Sequence, residues 1–239
     1  MRQLAGRVAV LAICGAMLAA CVSTGAGAHH DVSQLVFVGD SNLDIGRAMT
    51  EREGNPKDGK LTPPNTVGKR YSNGDILPDF LSKRLGVSQV NYAWGGATSG
   101  TGNISGREDA PDLRNTGLSV QMTELEAALG GKPADAHALY MVMAGSNDLA
   151  SVDKADQAGI EAAIAGVMVN LRAAVTKLDK LGAKFIVVGT RTPRPILSDH
   201  DRATEEPNAD AKNDAAGRQL NIAIRKLVAD LDKELAADV

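Results

Sequence analysis

The 239-residue sequence has only two cysteines, Cys14 and Cys21, and no stripe of basic residues. Nor does it contain an apolar run of eighteen residues. With a net charge of −3 and its lysines and arginines scattered, it lacks the electrostatic footprint of a nucleic-acid-binding protein. There is no Gly-x-Ser-x-Gly elbow, no glycine-rich phosphate loop followed by lysine and no His-Glu-x-x-His pair. Those absences exclude the commoner hydrolase, nucleotide-binding and zinc-hydrolase motifs. No internal repeat is found. What remains is an ordinary globular composition, 44% hydrophobic and 23% charged, with room for one sizeable core.

The N-terminus differs in kind from the rest. Arg2 and Arg7 precede an apolar stretch, Val8 to Ala20, which is too short to span a bilayer comfortably but has the length of a signal-peptide core. Its end, Leu18-Ala19-Ala20-Cys21, resembles the lipobox of bacterial lipoproteins. That resemblance implies a signal peptide over residues 1–20 and lipidation at Cys21. A flexible tether over residues 21–33 and a domain over 34–239 follow. The expected location is the bacterial cell envelope, held to a membrane by the lipid; the alternative is an ordinary secretory signal and a periplasmic or secreted protein. Removing the leader lowers the net charge from −3 to −5 and leaves Cys21 as the last cysteine, so no intramolecular disulfide can support the fold. His29 and His30 lie on the tether and read as solvated linker residues.

Along the domain, short apolar runs alternate with helical patterns. Leu35–Val38, Val87–Ala93, Ala138–Ala144 and Lys184–Val188 read as strands. Helical stripes run through Ile76–Leu85, Leu118–Leu129, Ile160–Leu178 and Leu220–Leu235. Met49–Arg70, with three prolines, reads as a long loop over the active-site end of the sheet, and Thr101–Thr116 and Thr190–Asn208 as irregular segments. Strands that alternate with helices imply right-handed crossovers and a parallel sheet covered on both faces.

Parallel strands point the same way, so the residues just past each strand gather along one edge, where ligands of open α/β sheets bind. Ser41, Gly96 and Asn147 each stand just past a strand. Acyl transfer needs a nucleophile and donors aimed at a developing oxyanion. Ser41 Oγ is the candidate nucleophile; the N–H groups of Ser41 and Gly96 and the Asn147 amide are candidate donors. Singly, each has a plain explanation: a turn, a tight packing contact, a helix cap. Their joint occurrence in this order is far more specific.

These residues carry a resemblance to the GDSL, or SGNH, serine esterases and lipases. Gly39-Asp40-Ser41-Asn42-Leu43-Asp44-Ile45-Gly46 resembles the first block of that family, with Asn42 where leucine usually stands. Asn91-Tyr92-Ala93-Trp94-Gly95-Gly96-Ala97-Thr98 resembles the second, and Gly145-Ser146-Asn147-Asp148 the third. Tyr71-Ser72-Asn73-Gly74 is similar to a segment of the outer-membrane and plant-type branches. The resemblance runs from about Leu35 to the last helix. It implies a three-layer α/β/α, flavodoxin-like fold and hydrolysis of small-molecule, lipid or glycan esters through an acyl-serine intermediate. It implies no metal and no organic cofactor.

The fourth element of the family, an Asp-x-x-His block after a fifth strand, has no match here. No histidine has an aspartate three residues before it. His137 opens the strand that Asn147 closes, roughly 25 Å away at about 3.3 Å per residue. His200, between Asp199 and Asp201 after the fourth strand, is the one candidate for a substitute base. The expectation is a domain without its last strand and an esterase impaired for want of a base. The alternative is a non-catalytic envelope module that binds acylated ligands or glycans.

Overall fold

A computed structural model describes residues 32–53, 68–105, 113–192 and 209–239. Cys21, His29, His30 and His200, with the leader and most of the tether, lie outside the described residues. Four strands form one all-parallel sheet: β1 (Gln34–Gly39), β2 (Ser88–Asn91), β3 (Leu139–Met143) and β4 (Phe185–Val188), in the order β2-β1-β3-β4. The helices are α1 (Arg47–Glu53), α2 (Leu77–Leu85), α3 (Leu118–Leu129), α4 (Ser146–Ala150), α5 (Gln157–Leu181) and α6 (Ala209–Glu234).

The registers set the strand ends level. Leu35 pairs with Leu139 and Gly39 with Met143, while Phe37 pairs with Asn91. The two faces of β1 follow from the period of two: Val36 and Val38 enter one core, Leu35 and Phe37 the other. The larger core lies under α3, α5 and α6, where Leu118, Leu171, Leu178 and Leu220 are fully buried. The smaller one gathers Leu43, Ala93, Met141 and Met143, with Leu81 of α2 against it. Helices therefore cover both faces, and the order reverses between β1 and β3, the switch point of a flavodoxin-like sheet.

Three expectations change in detail. The stretch read as a loop from Met49 begins inside α1, because the Asp44 carboxylate accepts the N–H groups of Gly46, Arg47 and Ala48 and starts a helix there. Ala48 and Met49 are buried. Helix α2 starts at Leu77 with Pro78 in its first turn, and Leu77, Phe80 and Leu85, read as its sheet-facing stripe, are 42%, 59% and 45% exposed. Beyond α6 the chain turns back to the sheet: Asp238 pairs in parallel with Phe185, the Asp238 N–H bonding to Lys184 O and the Ile186 N–H to Asp238 O. The four strands thus carry a one-residue extension on the outer side of β4.

Candidate active site

Ser41 sits in the turn directly after β1, half-buried and outside the sheet. The turn is built by Asp40, whose backbone carbonyl accepts the N–H groups of Leu43 and Asp44. The Asp40 Oδ1 accepts the backbone and side-chain amides of Asn42, at 3.0 and 2.7 Å. Gly39 admits no side chain, since a Cβ there would stand 2.4 Å from the carbonyl oxygen of Met143 on β3. The end of β1 is thereby fixed against its neighbour.

Gly96 follows β2 with φ 83°, a left-handed conformation that favours glycine. A Cβ on it would meet Asn103 Oδ1 at 2.3 Å. Asn103 is held in turn, its Nδ2 donating to Gly95 O and Thr116 Oγ1. Asn147 lies on the first turn of α4, just past β3, and its Nδ2 donates to Ala97 O at 2.8 Å. One N–H of that amide is committed to the Gly96 turn, and the other is left to the half-buried space around it.

Two carboxylates weld the turns together. Asp44, wholly buried, bonds to Gly95 N–H at 2.7 Å besides the three amides of α1. Asp148 accepts both the N–H and the Oγ–H of buried Ser99, whose Oγ also accepts from Asn170 of α5. Backbone bonds add Trp94 N–H to Gly39 O and Ile104 N–H to Gly96 O. The N–H groups of Asn42, Leu43, Asp44, Trp94, Gly95, Ala97, Thr98 and Ser99 each have an acceptor. Among the described residues, none faces the N–H of Ser41 or that of Gly96. Two N–H groups without an acceptor among the described residues thus stand on the turns that follow the adjacent strands β1 and β2.

Asp40 is the exception among the acids. Its Oδ2 is buried and, among the described residues, has no hydrogen-bond partner. Loss of hydration pushes its carboxyl above the usual carboxylate range; the Asn42 donors oppose this and the charge of Asp148 adds to it.

Beside the turns opens a cleft of about 610 Å³, lined by Ile45, Gly46, Arg47, Thr50, Lys69 and Trp94 among others. Arg47 lies over the Trp94 ring, 4.4 Å from its centroid, and donates to Tyr92 O and Glu124.

The three residues read from the sequence as nucleophile and donors, Ser41, Gly96 and Asn147, all stand at the carboxyl edge of the sheet, on linked turns. His137 stands at the opposite edge, exposed before β3, and is the one histidine among the described residues. Asp44, Ser99, Gln121 and Asn170 were not singled out from the sequence. The available signal was a polar residue inside an apolar stripe, as with Gln121 between Leu118, Met122 and Leu125.

A model of the GDSL-like lipase/acylhydrolase family matches residues 35–239. Among solved structures the chain is similar to a member of the lipolytic G-D-S-L family from Veillonella parvula, with 14% identity and a TM-score of 0.44, covering 83% of this chain and 73% of that one. It is also similar to an acetylxylan esterase from Geobacillus stearothermophilus, with 16% identity and a TM-score of 0.45, covering 83% and 72%. Comparison with curated proteins gives no significant match.

Proposed function

Because the chain belongs to the GDSL-like lipase/acylhydrolase family and is by family an ester hydrolase, we propose that Ser41 is its nucleophile and that it acts through an acyl-serine intermediate. In this reading Ser41 Oγ adds to the ester carbonyl and its proton passes to a base. The oxygen of the tetrahedral intermediate takes up the N–H groups of Ser41 and Gly96 and the second N–H of Asn147. Collapse expels the alcohol, which carries a proton away, and water then frees the acid from Ser41. The observation that carries the reading is the pair of strand-end N–H groups with no acceptor among the described residues.

The base is the weak member. Among the described residues His137 is on the wrong edge of the sheet, Asp40 holds Asn42 through Oδ1 with Oδ2 buried, and Asp148 holds Ser99 of the neighbouring turn; His200 lies outside the described residues. We therefore propose slow turnover in which water takes the serine proton. Loss of a triad base costs several orders of magnitude, while donors and binding keep some rate over the uncatalysed reaction. The substrate class is a small acyl ester of an alcohol or sugar, admitted by the cleft beside Trp94.

Hydrolysis of 4-nitrophenyl acetate by the wild type and by Ser41→Ala tests this. Turnover that exceeds the buffer rate and disappears in the variant is the expected result. Equal rates in the two proteins would show that Ser41 is not the nucleophile, and saturable ester binding without turnover in both would favour a non-catalytic binding module.

A further inference from the structure

We propose that Gln121 is a positioning residue of the nucleophile turn, its side-chain amide setting the direction in which β1 delivers Ser41. The inference rests on Ser41 being the nucleophile and concerns a residue 82 positions away from the strand it holds. Gln121 lies on α3 with no exposed surface, within the stripe formed by Leu118, Met122 and Leu125. Packing alone would be served there by leucine or methionine, and burying an amide is costly unless it is bonded.

Its bonds all go to the backbone. Oε1 accepts the Gly39 N–H at 2.7 Å, and Nε2 donates to Gly39 O at 2.9 Å and to Thr116 O at 2.8 Å. The amide therefore grips both peptide groups of the last residue of β1, as a neighbouring strand would, at the point where the chain leaves the sheet. Gly39 O also takes the Trp94 N–H, so the same peptide joins the nucleophile strand to the Gly96 turn. In the next peptide plane comes the Ser41 N–H, which has no acceptor among the described residues. Since Gly39 has no side chain with which neighbours could hold it, its orientation depends on these backbone bonds.

Substitution by glutamate separates this role from packing. A protonated glutamate offers one acceptor and one donor in nearly the same places, whereas the carboxylate opposes two carbonyl oxygens. Ser41-dependent hydrolysis of 4-nitrophenyl acetate is measured from about pH 5.5 to 8 for wild type, Gln121→Glu, Gln121→Met and the packing control Met122→Ala. Gln121→Met is expected to lower kcat about 30-fold or more with KM nearly unchanged, and Met122→Ala to leave kcat within about threefold. The ratio of Gln121→Glu to wild type should recover about tenfold as the pH falls. A flat ratio, or a folded Gln121→Met with wild-type kcat, overturns the proposal.

Should wild type show no Ser41-dependent turnover, the esterase reading fails, and the amide protons then decide the positioning. In 15N-labelled protein the Gly39 N–H is expected to exchange slowly in wild type and about 100-fold faster in Gln121→Met, with a shifted Ser41 resonance. Unchanged Gly39 exchange and an unchanged Ser41 resonance would dismiss the role of Gln121.

Discussion

At Asp40 two demands meet: the carboxyl must be buried to shape the turn, and one of its oxygens is left without a donor among the described residues. The folded protein consequently holds the Asp40 proton to higher pH than the unfolded chain does. The sign follows from linkage. This group favours folding most below its ordinary value of 3.8, and the contribution is lost as pH rises from there through the raised value of the folded state. Denaturant midpoints should therefore fall less, or rise more, between about pH 4 and pH 7 in Asp40→Asn than in wild type. Parallel profiles would place the proton elsewhere.

Ser41, Gly96 and Asn147 were legible in the sequence because each stands just past an apolar run, and parallel strands bring such residues to one edge. What holds them was not legible. Asp44 reaches Gly95 across 51 residues, Asp148 reaches Ser99 across 49 and Gln121 reaches Gly39 across 82. Contacts of that span leave no periodicity, because they depend on how whole elements dock.

Among the elements, α2 shows where a correct period misleads. Its apolar spacing announces a helix, and a helix is present, yet much of the apolar surface of Leu77, Phe80 and Leu85 faces outward. Polar bonds contribute to fixing it instead. Asp79, nearly buried, pairs through both oxygens with Arg70 and accepts the Ile76 N–H. The guanidinium holds the Asp79 carboxyl below its usual range, so this contribution is present above the ordinary carboxylate value and is lost as pH falls through the lowered one. Asp79→Asn should cost about 2 kcal/mol near neutral pH, and the difference from wild type should shrink in acid. Chemical denaturation of both proteins at two pH values measures this, and a difference that grows in acid would contradict it. The opposite signs at Asp79 and Asp40 separate the carboxyl that holds an element from the one that shapes the site.

For the molecule as a whole, alternation of strands and helices was enough to anticipate a parallel sheet with covered faces, since only a few topologies satisfy that order. The return of the chain to β4 after α6 was not, because one backbone pair at Asp238 has no hydrophobic signature. It is supported from α5, where Asp179 Oδ1 accepts the N–H groups of Ala236 and Ala237. Asp179→Ala should lower stability by about 1 kcal/mol and speed hydrogen exchange at Asp238 and Ile186, leaving the amides of β1 protected. Loss of protection throughout the sheet would mean that this return is part of the main cooperative unit.

The Arg47 guanidinium over Trp94 has a practical side as well. The chain contains a single tryptophan, and that indole lines the cleft two residues before Gly96. Its emission is a native optical signal from one place in the molecule: a ligand that enters this cleft changes the polarity and the cation contact of that ring, and occupancy can be followed by fluorescence without a label.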